Sequence, residues 1–171
     1  MILFKGEMVL FDFDSTETTG EWYIVNDDVM GGVSRSNMQL NSDGTATFSG
    51  TLSPENYGGF ASVRARVVAG DEVQFQGVML RIRGDGNIYS LRFRTNENFD
   101  GYAYQAKVKS SAGEWTEFKV PFTAFEPTFR GRALTGKPDL KSSDIAQFGL
   151  LIADKQFGDF TVDIDWVKFY N

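Results

Sequence analysis

The chain has 171 residues, 42% of them hydrophobic and 15% aromatic, with a formal charge of −6 from 17 basic and 23 acidic side chains. That length supports one domain over residues 1–171 with a substantial core, and the acidic balance opposes nucleic acid or anionic lipid as partner. With neither Cys nor His, disulfides, thiolate or imidazole metal sites and His-dependent triads are excluded, leaving carboxylates, Lys, Tyr, Ser/Thr or an oxygen-bound hard cation for any chemistry.

The first residues, Met1 to Glu7, include Lys5 and Glu7, where a secretory segment needs an unbroken apolar stretch. No run approaches the roughly 20 apolar residues of a membrane span. The expectation is a cytoplasmic protein without membrane insertion.

Period-two alternation then recurs along the chain, as strands require. It runs through Met8–Asp14, Thr45–Leu52 and Gly59–Val67, the last two separated by a turn over Pro54–Gly58. Gly77–Arg83 and Asn87–Arg94 flank Gly84-Asp85-Gly86, and Tyr102–Val108 and Trp115–Val120 flank Ser110–Gly113. Both spacings predict β-hairpins. Residues 122–143, holding Pro127, Gly131, Gly136 and Pro138, form an irregular stretch, with one helical turn predicted from Ser143. Gln147–Ile152 and Phe160–Phe169 close the chain. About nine strands with frequent turns predict an all-β fold, a two-sheet antiparallel β-sandwich or jelly roll in which the first and last strands pair.

Residues i and i+2 of a strand share a face. Arg64 and Arg66, Arg81 and Arg83, and Arg92 and Arg94 therefore form three same-face pairs on predicted neighbouring strands. The alternate positions are apolar and face the core. The expectation is one arginine-lined sheet face, with Asp12, Asp14, Asp163 and Asp165 as its counter-charges. Two readings stand: a solvated face laced with ion pairs, or a polar groove for an anionic peptide, an acidic protein surface or sugar hydroxyls. The same four aspartates are the candidates for glycoside hydrolysis, but neighbouring arginines would lower their pKa values, the wrong shift for a general acid. An enzyme is not expected.

Asn26-Asp-Asp-Val-Met-Gly-Gly-Val-Ser34 is the densest motif, a turn signature with paired glycines. It is followed in order by Gly58–Arg64, Arg83–Gly86 with Tyr89, Trp115, Phe129–Arg132 and Asp163–Asp165. This order of segments, from about Phe11 to Tyr170, resembles the complex I intermediate-associated protein family. The resemblance implies a galactose-binding-domain-like sandwich, a non-catalytic assembly role with a protein partner, and no established cofactor. Relative to the family's mitochondrial member, the expectation is a chain without the long leader ahead of these segments.

The expected binding surface comprises Arg64, Arg66, Arg81, Arg83, Arg92 and Arg94, with the motif positions Asn26 and Asp27. Tyr104 and Trp115 serve as aromatic anchors, and Arg130 and Arg132 either lie in solvent or clamp the groove mouth. Trp115 is read either as core or as a sugar-stacking platform. Asp27, Asp28 and Asp85 are a weak hard-cation candidate, and no metal is expected. A carbohydrate-binding module that takes an oligosaccharide is the alternative function.

Overall fold

A computed structural model describes residues 2–4, 6–68, 70, 73–98 and 100–171, with side chains from Gly6 onward. The first half of the chain carries β1 (Ile2–Phe4), β2 (Glu7–Asp12), β3 (Trp22–Asn26), β4 (Arg35–Leu40), β5 (Ala46–Leu52), β6 (Ala61–Arg66) and β7 (Gly77–Arg83). The second half carries β8 (Ile88–Arg94), β9 (Ala103–Lys109), β10 (Trp115–Pro121), β11 (Glu126–Phe129), β12 (Arg132–Ala133), β13 (Gln147–Ile152) and β14 (Gly158–Tyr170). Every segment with period-two alternation is a strand. The irregular stretch contains β11, β12 and two single 3-10 turns, at Phe122–Ala124 and Ser142–Asp144.

Two antiparallel sheets form the sandwich. The first is built around the 13-residue β14, whose one edge pairs β5 and then β2, and whose other edge pairs β7, followed by β10. β4 and β1 extend it. The pairing of β2 with β14 matches the expected union of first and last strands. The second sheet has the order β12-β11-β9-β8-β13-β6-β3.

The core lies between the sheets and is rich in aromatic rings. Phe93 stands at its centre, with ring centroids 5.3 Å from Phe125, 5.4 Å from Phe148 and 6.0 Å from Phe122 and Phe169. Such edge and tilted pairs each add about 0.5–1.5 kcal/mol beyond area burial. Inward positions of the second sheet are Ala61, Val63 and Ala65 on β6, Phe148, Leu150 and Ile152 on β13, Tyr89, Leu91 and Phe93 on β8, and Tyr104, Ala106 and Val108 on β9.

Both predicted hairpins are replaced by crossovers. β7 lies in the first sheet and β8 in the second, and likewise β9 lies in the second and β10 in the first. The two turns stack on each other: Gly113 N–H donates to the Gly84 carbonyl at 3.0 Å, and a Cβ at Gly84 would sit 2.1 Å from Ser110. The Ser110 hydroxyl accepts from Gly86 N–H and donates to the Asn87 carbonyl. The Gly-Asp-Gly segment is therefore not a hairpin turn. Its polar groups are satisfied by other segments, so the chain steps between sheets instead of pairing with itself.

Candidate functional site

The crossover at Gly84–Gly86 divides the six arginines between opposite faces of the molecule, correcting the expectation of one shared arginine trough. Arg81 and Arg83 point outward from the first sheet, whereas Arg64, Arg66, Arg92 and Arg94 point outward from the second.

On the first sheet the neutralised reading holds. Arg83 Nε and Nη2 donate to Asp163 at 2.9 and 2.7 Å, and Asp163 also accepts from the Thr47 hydroxyl at 2.6 Å. Arg81 Nη1 donates to Asp165 at 2.7 Å. Both guanidiniums lie over the Trp115 ring, 4.7 and 4.8 Å from its centroid. Trp115 is thus a cation–π partner of its neighbours on β7, neither buried core nor a bare platform. Asp12 accepts from Asp14 N–H at 2.9 Å, and Asp12 beside it raises the Asp14 pKa.

On the second sheet the side chains that point away from the core are also deeply set. Arg64, Arg94 and Gln147 are only 7%, 6% and 4% exposed, and Ser62 and Ser90 are buried as well. The register explains which residues meet. Gly149 on β13 lies opposite Arg64 on one side and Arg92 on the other, and Gln147 lies opposite Arg66 and Arg94. Tyr23 pairs with Arg64, and Gln105 with Arg92. Because Gly149 has no side chain, the floor between Arg64 and Arg92 is backbone. A Cβ there would lie 3.4 Å from Arg64 Cγ, so the Arg64 stem leans over the glycine.

The polar network at one end is well ordered. Tyr23 hydroxyl donates to Gln147 Oε1 at 2.7 Å, while Gln147 Nε2 donates to the Asn96 and Asn98 carbonyls. Arg66 escapes to the exterior and pairs with Glu97. Arg92 and Arg94 behave differently: the Nε of each is buried without a hydrogen-bond partner, and among the described residues neither forms an ion pair. Burial lowers the pKa of Arg92 to about 10, with Arg64 adding to the shift, and that of Arg94 to about 9, with Arg64 and Arg92 adding. Burial lowers the Arg64 pKa too, against support from Tyr23 and Asp100. At neutral pH all three remain cations. Asp100 also weakly favours the Arg94 charge, but the hydrogen bond it accepts comes from Arg130 Nη2, at 3.5 Å.

Other expected contacts are placed differently. Tyr104 is core, and its hydroxyl donates to the Pro138 carbonyl at 2.5 Å, with burial first and Tyr102 second pushing its pKa up to about 12. It cannot anchor a partner. Arg130 and Arg132 are exposed at the turn joining β11 and β12, at the far edge of the second sheet from β3.

The Asn26–Ser34 motif is organised by Asp27, which is 1% exposed. Its carboxylate accepts from Ser34 N–H at 2.9 Å, Ser34 Oγ at 2.5 Å and Gly59 N–H at 2.6 Å. A Cβ at Gly32 would lie 2.4 Å from Asp27 Cγ, and one at Gly58 would lie 2.5 Å from Asp27 Oδ2. The glycines exist because the carboxylate passes against them. Asp27 therefore ties two loops together and presents no charge to a partner, and Asn26 accepts from Ser36 Oγ at 2.7 Å. Asp85 plays the same part at the crossover, accepting from Thr161 N–H, Asn87 N–H and the Tyr89 hydroxyl. Asp27 and Asp85 thus serve different loops and do not assemble a cation site. The loops joined by Asp27 also carry exposed Val29, Met30, Val33 and Tyr57, an apolar group that alternation does not reveal, since it lies on turns.

A family model for complex I intermediate-associated protein 30 matches residues 11–164. Among curated relatives, the mouse protein named complex I intermediate-associated protein 30, mitochondrial, is 25% identical over 99% of this chain and 58% of its own length. The Drosophila melanogaster protein of that name is 25% identical over 93% of this chain and 61% of its own length. The chain thus spans about three fifths of these relatives. Their mitochondrial designation overturns the cytoplasmic expectation. Among solved structures, a family 11 carbohydrate-binding module from Clostridium thermocellum, in complex with a β-1,3-1,4-mixed-linked tetrasaccharide, superposes with a TM-score of 0.71 at 18% identity. It covers 97% of this chain and 96% of that one. An agarase superposes with a TM-score of 0.63 at 15% identity, over 98% of this chain and 25% of its own. At those identities the likeness is one of fold.

Proposed function

The chain belongs to the complex I intermediate-associated protein 30 family, and on that premise we propose that it is a non-catalytic binding domain that holds a protein partner during assembly of a multisubunit complex, of the complex I type named in its relatives. The outer face of the second sheet is the docking surface. The observation that carries this reading is Arg92 and Arg94 together, two cations whose Nε groups are buried with no hydrogen-bond acceptor and that form no ion pair among the described residues, with Asp100 favouring the Arg94 charge only weakly. A folded chain tolerates such a charge poorly unless something outside it supplies compensation. The first sheet's outer face already has internal compensation, which removes it as an electrostatic docking site. Charge complementarity would set orientation and association rate.

A photo-crosslinking side chain placed at Gln105, on the second sheet's outer face, should capture subunits of complex I in host respiratory membranes, and the same group at Lys119 on the first sheet should not. Capture only from Lys119, or adducts from Gln105 that contain no respiratory subunit, would remove this function.

The fold likeness to carbohydrate-binding modules supports a second reading. Sugar platforms need exposed rings, and among the described strand positions of the second sheet's outer face only Tyr23 is aromatic. Calorimetric titration with mixed-linked β-glucan decides it: saturable binding that Tyr23→Ala abolishes would favour the module.

A further inference from the structure

Resting on the docking face just proposed, we infer that Arg64, Arg92 and Arg94 form a socket for a carboxylate of the partner, supplied by an acidic peptide segment. The geometry is that of three guanidiniums around a bare floor. In the sheet, Arg64 and Arg92 are separated by two strand spacings, about 10 Å between Cα atoms, and Arg92 and Arg94 by about 7 Å along β8. Arg92 lies opposite Gly149 and Arg94 opposite its neighbour Gln147, and side chains of this length can reach the point above Gly149, where the Arg64 stem already leans inward. Planar guanidinium groups match the planar carboxylate in a bidentate manner, and each charge-assisted bond is stronger in a recessed, poorly hydrated setting.

Two features make this a built site and not three surface arginines. Arg94 is 6% exposed, and its Nε and that of Arg92 are buried with no acceptor among the described residues. The surrounding groups fix the frame without consuming those donors: Gln147 is held by Tyr23 and by the Asn96 and Asn98 carbonyls, and Glu97 is engaged by Arg66. An acidic peptide is favoured over a sugar acid by the scarcity of stacking rings among the described strand positions of this face. The same scarcity disfavours single-stranded nucleic acid, whose bases need stacking platforms.

The test uses the isolated chain and three probes: a hexaglutamate peptide, inorganic phosphate and trigalacturonate. Nitrogen–proton correlation spectra of the arginine Nε groups report which side chain each probe touches. Hexaglutamate should shift the Arg92 and Arg94 signals and leave those of Arg81 and Arg83 in place. Arg92→Gln/Arg94→Gln should bind it about tenfold more weakly or worse, with Arg92→Gln alone as the variant should the double one fail to fold. Equal shifts at Arg81 and Arg83, tighter binding of phosphate or trigalacturonate than of peptide, or no shift at all would overturn the socket. No cellular partner is involved, so a negative result here leaves the crosslinking outcome intact. Conversely, a failed crosslink with intact peptide binding removes the complex I partner but not the socket.

Discussion

Arg64 and Arg92 lie opposite the same residue, Gly149, from the two strands flanking β13, whereas Arg83 on the other sheet lies opposite Asp163. The same local pattern, arginine at i and i+2, thus produces a buried cationic cluster in one sheet and an ion-pair ladder in the other. What differs is the neighbouring strand. β14 brings aspartates to β7, and β13 brings a glycine and a glutamine to β6 and β8.

Asp27 holds its two loops through three donated hydrogen bonds from Ser34 and Gly59. Asp27→Asn replaces one acceptor oxygen with a donor facing N–H groups, and it should cost about 2–4 kcal/mol, read as a lower urea midpoint at unchanged slope. Loss of less than about 0.5 kcal/mol would show that the loops hold without it.

Tyr89 is fully buried, and its hydroxyl donates to Asp85, the residue that organises the crossover from β7 to β8. Burial and the Asp85 charge both raise its pKa, so it stays a donor across the accessible pH range. Tyr89→Phe should lower stability by about 1–2 kcal/mol in thermal or urea unfolding and leave hexaglutamate binding unchanged. A loss of binding would mean the two sites are linked.

Carboxylate binding should depend on pH in a direction set by the socket. Arg94 and Arg92 lose their protons near 9 and 10, and an anion binds the protonated form. The peptide's glutamates protonate near 4.3. Calorimetry should therefore show a plateau between about pH 5.5 and 8.5, falling on both sides. Arg64 and Arg66 on β6, Tyr23 on β3, Lys107 on β9, Glu126 on β11, and Glu97 and Asp100 on the loop after β8 also border this face. Affinity that stays level from pH 7 to 10.5 would contradict the assignment.

Alternation in residues 59–67, 77–83 and 87–94 fixed which arginines face outward, because a pleated strand leaves no other choice. It carried no information on which sheet each strand enters. That depended on Gly84 stacking against Ser110 and on Thr161 N–H reaching Asp85, contacts between residues far apart in sequence. For the same reason Asp163 and Asp165 were recognisable as partners for Arg81 and Arg83, while the gap beside Arg92 was not, since it is made by Gly149 in a strand that reads only as apolar. Burial withdraws Asp27 and Tyr104 from any partner, and polar and aromatic residues in a motif give no sign of such burial. β3 and β4 escaped notice because their edge positions alternate poorly.

The division of the arginines between a neutralised and an unneutralised set is tested most directly by thermal unfolding of Arg94→Met beside Arg83→Met at pH 7. Folding lowers the Arg94 pKa, so its charge opposes the folded state at neutral pH, and that penalty fades as pH rises through about 9. Methionine keeps the buried stem and removes the charge. Arg94→Met should raise Tm by about 2–4 °C, the equivalent of about 1 kcal/mol at this size, and Arg83→Met, which strips Asp163 and Trp115 of a partner, should lower it by a similar amount. If both variants fall in Tm to the same extent, Arg94 is compensated within the chain, and the outer face of the second sheet is not waiting for an anion.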